Sequence, residues 1–238
     1  AVMKHITIGF SQNPTLTAKS IVRYSLGLIE THISGKEGYE DLWLGYAVDL
    51  LNMSLKRRIL TSKTKEDRAL LDKCVRQLVQ CAILCKSDYV LTGSLKMISS
   101  MITWDLPAIE ASVQPILDLV FKLMRLSSSG SGGTDVRQSC FRTIALLLRK
   151  KKANISNSRM RIIISMAEAD LDQMFSQNAT FSLIKAIIKR QVVLPEAYDL
   201  VTRISKLLIT SLKPAVQNLC AQVLSDFLKI YPMGNKRR

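Results

Sequence analysis

The cysteines and histidines are the residues best suited to hold a metal or attack a substrate. Cys81 and Cys85 lie four positions apart and Cys74 lies two helical turns earlier, so a helix would place all three along one face. A thiolate metal site needs a fourth ligand and usually a Cys-x-x-Cys pair, and His5 and His32 have no Cys, Asp or Glu at metal spacing. We therefore interpret the cysteines as buried, reduced thiols and expect no metal and no cofactor.

Three neighbouring carboxylates could in principle support acid–base catalysis. Glu168, Asp170 and Asp172 fall near the middle of a helix predicted over about 157–175, where charged residues usually form a solvated face. The sequence offers no combination of a nucleophile, a general base and an oxyanion hole. It therefore favours a protein that is not an enzyme and that has no small-molecule substrate.

Basic residues form dense runs at regular places along the chain. They occur where the second helix of a predicted hairpin ends and where the next turn or helix begins. The residues in these positions are Lys56, Arg57, Arg58, Lys63, Lys65, Arg149, Lys150, Lys151, Lys152, Arg159, Arg161, Lys189, Arg190, Lys236, Arg237 and Arg238. Because the second helices of a solenoid all run in one direction, we expect these residues to line one rim.

These runs have two possible explanations. Cations at helix C-termini complement the helix dipole by about 0.3–1 kcal/mol each, which accounts for one or two per end but not for runs of three or four. Sequence-independent contact with RNA phosphates accounts for the longer runs, and the formal net charge of +15 agrees with a polyanionic partner. No aromatic residues alternate with the runs, so we do not expect stacking on the bases of a single strand.

Helices must position these runs, because apolar residues recur three and four positions apart along most of the chain. The periodicity predicts about ten helices, paired in five hairpins joined by short loops. One of them, predicted over about 39–60, carries Leu42, Tyr46, Leu50 and Met53 on its apolar side. A hairpin of two amphipathic helices cannot cover its own apolar face, so it must stack on a similar neighbour.

A weak internal repeat supports this stacking. Starting from Val90, Val136 or Val216, small or apolar residues follow at offsets of four, five, eight and eleven, and the series from Ala179 fails only at the last offset, Arg190. The starts lie roughly 37 to 46 residues apart, which is the period of HEAT-type helix pairs. The sequence therefore predicts an all-α fold, an α-solenoid of HEAT- or armadillo-like hairpins.

Composition agrees with a helical class. Hydrophobic residues make up 47% and aromatic residues 6%, with few Gly and Pro, which argues against an all-β fold. No uncharged apolar run approaches the roughly 18 residues of a membrane span, so we expect no membrane partner. We predict one continuous solenoid segment over 1–238, an excerpt from a longer intracellular protein, with a flexible Ser/Gly-rich loop at 127–133.

Several stretches of packing and turn residues are specific in combination. They are Pro195-Glu196, Ser205-Lys206-Leu207, Val216, Cys220, Phe227-Leu228, Tyr231-Pro232-Met233-Gly234, Ala167-Glu168-Ala169-Asp170-Leu171, Leu183-Ile184-Lys185-Ala186-Ile187 and Leu106-Pro107-Ala108-Ile109. Together these stretches resemble the down-regulated-in-metastasis family, the very large HEAT-repeat scaffolds of the small-subunit processome. The likeness is closest over 160–238 and extends back to about residue 45. The Ser/Gly loop and Met233, where the family has Leu, depart from its pattern.

The resemblance implies that the chain is an internal or C-terminal-half fragment of a noncatalytic scaffold of the nucleolus and nucleus. Such a scaffold would hold pre-ribosomal RNA, small nucleolar RNA and other small-subunit processome proteins in place during rRNA processing. The alternative is a HEAT or armadillo adaptor that binds proteins, such as a nuclear transport receptor. Transport receptors are usually acidic and grip basic cargo, so the net charge of +15 disfavours the alternative.

Overall fold

The computed structural model describes residues 14–35, 41–56, 60, 64–104, 106–127, 133–150, 153–171, 173 and 177–231. All regular secondary structure within these residues is helical, which confirms the predicted all-α class. The ten helices of the described ranges are α1 (Pro14–Ile33), α2 (Asp41–Lys56), α3 (Lys65–Leu84), α4 (Asp88–Thr103), α5 (Pro107–Ser127), α6 (Thr134–Lys150), α7 (Asn157–Ala169), α8 (Gln177–Lys189), α9 (Pro195–Thr210) and α10 (Pro214–Ile230).

The chain divides into two compact units, Ala1–Val136 and Arg137–Arg238, so the boundary falls inside α6. In the first unit α1 packs against α2 and α3, α2 packs against α4, and α3 packs against α4 and α5. In the second unit α7 packs against α8 and α9, and α10 packs against α8 and α9. The two helices of a hairpin thus contact each other, and each also contacts the corresponding helix of the neighbouring hairpin, which is the packing of stacked hairpins. The predicted α-solenoid is confirmed in this sense within each unit.

Local sequence signals set many helix ends. Proline is the first residue of α1, α5, α9 and α10, where its missing N–H and fixed φ are tolerated. Gly35 follows α1 with a φ of 67°, a left-handed conformation that glycine adopts without steric cost. The Thr64 hydroxyl accepts a hydrogen bond from the Asp67 N–H at 3.1 Å and so caps α3. These signals explain why the predicted helix count agrees with the structure.

The repeated apolar stripe lies in the second helices α4, α6, α8 and α10. The positions that follow Val90, Val136 and Ala179 at the repeat offsets are buried, apart from Arg190, and Phe141 is 0% exposed. In α10, Ala221 is exposed although it occupies a repeat position. The offset pattern therefore identified the core-facing side of the second helices, with the exposed Ala221 and the half-buried Arg190 and Leu224 as exceptions.

The apolar side predicted for α2 is wrong. Leu42 is 52% exposed and Met53 is 36% exposed. The buried side instead carries Leu44, Ala47, Val48, Leu51 and Leu55, together with Leu50. Apolar residues occupy most of the circumference of this helix, so periodicity alone does not decide which stripe faces α1 and α4.

The predicted length of α7 is also wrong, and so is the solvated position predicted for Asp170. The helix ends at Ala169, and Asp170 is its C-cap residue with αR backbone angles. Asp170 is 1% exposed and lies 2.7 Å from the Arg137 guanidinium, while Glu168 pairs with Arg203. A buried carboxylate must be paired, and this pairing fixes the end of the helix. Asp172 lies outside the described residues.

The Ser/Gly-rich connection predicted at 127–133 is described only at its edges. Ser127 closes α5 and Gly133 directly precedes α6, whereas residues 128–132 lie outside the described residues. The expectation of one continuous segment over 1–238 stays a prediction.

Two helical glycines should respond in opposite ways to alanine. A Cβ at Gly45 would overlap Cε1 of Tyr89, whose hydroxyl donates a hydrogen bond to Asp49. We expect Gly45→Ala to lower the free energy of unfolding by roughly 1–2 kcal/mol, because the ring must move and lose this bond. A methyl group at Gly27 would meet nothing within 4 Å, so Gly27→Ala should raise that free energy by about 0.5–1 kcal/mol.

Urea denaturation followed by circular dichroism measures both changes. In a Tyr89→Ala background the clash is absent, so Gly45→Ala should then be neutral or stabilising. A Gly45→Ala variant that is as destabilised in that background as in the parent would contradict the contact with Tyr89 as the cause.

Candidate nucleic-acid interface

Half of the predicted basic positions can be placed. Those that the structure describes are Lys56, Lys65, Arg149, Lys150, Arg159, Arg161, Lys189 and Arg190. Those that lie outside the described residues are Arg57, Arg58, Lys63, Lys151, Lys152, Lys236, Arg237 and Arg238. The predicted single rim that would join all of them therefore stays a prediction.

In the second unit the ends of α6 and α8 and the start of α7 come together. Arg190, directly after α8, donates a hydrogen bond from Nη2 to the carbonyl of Ala153 at 3.2 Å, and Ala153 lies in the connection from α6 to α7. Ser156 in the same connection caps α7 through the Arg159 N–H. Six cations therefore share one end of this unit. We call them the basic end: Arg149, Lys150, Arg159, Arg161, Lys189 and Arg190.

Two arginines of the basic end, Arg149 and Arg190, bind backbone carbonyl groups. Arg149 on α6 donates from Nη2 to the Ser182 carbonyl on α8 at 2.9 Å, and Arg190 binds the Ala153 carbonyl. A carbonyl orients a guanidinium without cancelling its charge. The bond from Arg149 joins the successive second helices α6 and α8 and so supports their stacking. The same contacts hold the two guanidinium groups in defined positions.

The lysines of the basic end are exposed. Lys150 and Lys189 have no ion-pair partner among the residues that the structure describes, and both lie in the last turn of a helix. Arg161 is paired with Glu196 at 3.0 Å, yet its side chain remains 55% exposed. The basic end therefore keeps most of its positive charge accessible to a large anion.

The carboxylates of the second unit are used mainly on the first helices of the hairpins. Glu168 on α7 pairs with Arg203 on α9 at 3.2 Å, and Glu196 on α9 pairs with Arg161 on α7 at 3.0 Å. Helix α8, in contrast, contains no Asp or Glu. Ion pairs thus link the first helices to one another, and the ends of the second helices retain the excess of cations.

The described basic positions of the first unit have a mixed electrostatic environment. Lys65 lies in the first turn of α3 beside Glu66 and Asp67. Asp67 is 4% exposed and pairs with Lys19 at 2.9 Å, and this hydrogen bond raises the pKa of Lys19. Arg23 pairs with Glu66. Cations and carboxylates therefore balance here, and the described part of the first unit is a weaker candidate for phosphate contact than the basic end.

The five cysteines are all buried and free of disulfides, as predicted. Burial raises the pKa of Cys74, Cys81 and Cys140 to about 12, so these thiols stay protonated at neutral pH. No group of three potential metal ligands occurs within the ranges that the structure covers. Among the helices described, none has the length and apolar character needed to cross a lipid bilayer.

An aromatic cluster beside the basic end was not predicted from the sequence. Phe227 and Tyr231 stack with ring centroids 4.3 Å apart, and Tyr198 contacts both rings edge-on. Tyr231 donates a hydrogen bond to the Val192 carbonyl at 3.0 Å, two residues after Arg190. The Tyr-Pro sequence after α10 was the available signal, but only the fold shows that Tyr231 anchors the end of α10 to the connection before α9.

Comparison with known proteins gives two similar sequences that carry the same name. The chain is 26% identical over 112 residues to the U3 small nucleolar RNA-associated protein 20 of Schizosaccharomyces pombe. The matched stretch covers 47% of this chain and 4% of the relative. It is 18% identical over 157 residues to the protein of that name from Saccharomyces cerevisiae. That match covers 66% of this chain and 6% of the relative.

These matches support the resemblance found in the sequence. The chain corresponds to a small part of the length of either relative, 4% of one and 6% of the other. No family model matches the chain.

Proposed function

We propose that this chain is a noncatalytic HEAT-repeat scaffold in small ribosomal subunit biogenesis. Two observations support the proposal: the exposed cations of the basic end, and the similarity to two proteins named for their association with U3 small nucleolar RNA. In this role the chain holds pre-ribosomal or small nucleolar RNA, together with other small-subunit processome proteins, in the nucleolus. The proposal depends on the basic end, because Lys150 and Lys189 are exposed there and pair with no carboxylate among the described residues.

The mechanism is electrostatic and structural. Lys150 and Lys189 offer mobile ammonium groups to phosphates, and binding releases the counterions condensed on the RNA. Arg149 presents an oriented guanidinium, whose five N–H donors allow it to bind Ser182 and a phosphate at the same time. These groups contact the RNA backbone and read no base edges, so the position of the RNA depends on its shape and not on its sequence.

Sedimentation of the tagged chain from cell extract tests this function against a protein-binding adaptor. We expect the chain to migrate with pre-ribosomal particles, and ribonuclease treatment or high salt to release it. A matched pair of double variants sharpens the test. Lys150→Ser/Lys189→Ser should be released at lower salt than Lys206→Ser/Lys213→Ser, which removes the same charge from exposed lysines elsewhere in the second unit.

An adaptor would behave differently in the same gradient. Migration with soluble protein complexes, unchanged by ribonuclease, would contradict the scaffold proposal and favour the adaptor. Equal release of the two double variants would remove the basic end as the contact, even if the chain still migrates with the particles.

A further inference from the structure

A cavity in the first unit is separate from the basic end. It has a volume of about 400 Å³ and lies between the end of α3, the start of α4, the middle of α5 and the first residues of α6. Volumes of this size accommodate one or two large side chains or a small ligand. The residues that line it are Ala82, Ile83, Leu84, Cys85, Lys86, Asp88, Leu91, Leu119, Lys122, Leu123, Gly133 and Val136.

Both the buried and the exposed parts of the cavity lining are largely apolar. Leu91, Leu119 and Leu123 form part of the wall and are between 3% and 7% exposed. Ile83 and Leu84 belong to the same lining but are 45% and 54% exposed. Burial of these two exposed aliphatic side chains under an apolar group of a partner would contribute favourably to the free energy of binding.

The polar groups at the cavity favour an anionic ligand. Lys86 and Lys122 line the cavity and are exposed, and Asp88 is the one carboxylate among the described lining residues. The first turn of α4 also lies here, and the Ser87 side chain forms no capping hydrogen bond with it. A helix N-terminus and two lysines outweigh a single Asp, so carboxylates flanking an apolar group are accommodated.

The lining fits a peptide better than a nucleic acid. Its described residues include no aromatic side chain on which a base could stack, and most of their surface is aliphatic. A phosphate backbone would use the two lysines but leave the apolar cavity unfilled. An amphipathic peptide uses both features, with aliphatic anchors in the cavity and acidic residues beside the lysines.

We propose that this cavity is a docking site for an acidic, leucine-bearing segment of a partner protein. The site is distinct from RNA contact at the basic end and gives the chain a second kind of partner. A leucine or phenylalanine of the segment enters between Leu91, Leu119 and Leu123, and covers Ile83 and Leu84. Carboxylates on the neighbouring turns pair with Lys86 and Lys122.

Fluorescence anisotropy with a designed probe tests the site on the whole 238-residue chain. The probe is a fluorescein-labelled amphipathic peptide of about 15 residues, four helical turns, with leucines on one face and glutamates on the other. We expect saturable binding that Leu84→Glu weakens by about tenfold or more. Lys122→Glu should weaken it as well. The matched control is Leu212→Glu, which changes a leucine that is 97% exposed in the second unit and should leave the affinity unchanged.

Control peptides and circular dichroism make each outcome decisive. A peptide with lysines in place of glutamates, and one with alanines in place of leucines, should both bind at least about tenfold more weakly. Circular dichroism checks that the variants fold, which is expected because Leu84 and Lys122 are exposed. The proposal is overturned if the acidic peptide does not bind, if Leu84→Glu binds as well as Leu212→Glu, or if structured RNA displaces the peptide by occupying the cavity.

Discussion

Replacing Arg137 with methionine should destabilise the second unit by about 3–5 kcal/mol. Asp170 is 1% exposed, and its Oδ1 lies 2.7 Å from Nη2 of Arg137. The guanidinium also lies over the ring of Phe141, 5.7 Å from its centroid. Methionine keeps much of the apolar contact with Phe141 but leaves a buried carboxylate without a counter-charge. The free energy of unfolding from urea denaturation at pH 7, followed by circular dichroism, measures the loss.

The pH dependence identifies the carboxylate as the cause. Burial raises the pKa of Asp170 above its ordinary value of 3.8, and the nearby Arg137 opposes this shift. A raised pKa in the folded state means that the folded carboxyl binds a proton more readily than the unfolded one. Stability linked to this group therefore increases as the pH falls through the raised pKa. Without Arg137 the pKa of Asp170 rises further. The loss of unfolding free energy caused by Arg137→Met should therefore become smaller as the pH is lowered from 7 towards the ordinary carboxyl range.

Two further variants separate the buried pair from ordinary surface pairs. Arg203→Met removes the partner of Glu168, a pair whose side chains are 42% and 34% exposed, and should cost no more than about 1 kcal/mol. Adding Asp170→Leu to Arg137→Met should recover much of the loss, because the unpaired carboxylate is then gone. An Arg137→Met protein as stable as the parent at pH 7 would show that the buried pair does not hold the end of α7.

Replacing residues 149–152 with serine should weaken binding to a structured RNA by about a hundredfold near physiological salt. Each lysine or arginine that neutralises a phosphate contributes about 0.7–0.9 to the slope of log affinity against log salt. Removing four such groups should therefore lower the slope by about 3. Filter binding or anisotropy over a series of salt concentrations measures affinity and slope together. An unchanged slope would exclude these residues from the phosphate contact.

The double variant Lys150→Ser/Lys189→Ser is the cleaner form of this test. Both lysines are exposed, so their loss should leave the fold intact, whereas the block replacement also removes the bond from Arg149 to Ser182. We expect the double variant to lower the slope by about 1.5. Lys206→Ser/Lys213→Ser has the same net charge and should lower it by much less, because only cations close to the RNA release its counterions.

The helices were predictable because their cause is local. Apolar residues at a period of 3.6, with proline at helix starts and Gly35 after α1, give the number of helices and most of their ends. The sequence-based predictions are wrong where a residue distant in the chain determines where a helix ends or which side of it is buried. Asp170 ends α7 because Arg137, 33 positions earlier in the chain, takes its carboxylate into the interior. The buried side of α2 is likewise set by its neighbours α1 and α4 and not by its own pattern.

The basic residues of the candidate interface were predictable from the sequence, but the partners that neutralise or orient them were not. The sequence locates the basic runs, yet it does not show that Arg161 pairs with Glu196 or that Arg149 and Arg190 bind carbonyls. Such partners lie about one hairpin away along the chain, so only stacking brings them together. The cavity beside Leu84 has the same origin, since four helices contribute to it.

The two units should respond differently to ionic strength. In the first unit, attraction between Lys19 and Asp67 and between Arg23 and Glu66 is screened by mobile ions, so added electrolyte removes a favourable contribution. In the second unit the ions screen the pairs of Arg161 with Glu196 and of Arg203 with Glu168, but they also screen the mutual repulsion among the cations of the basic end, so the same electrolyte should lower the stability of this unit less. A bound polyanion would oppose that repulsion at far lower concentration, so the second unit would be more stable with a polyanion bound than alone.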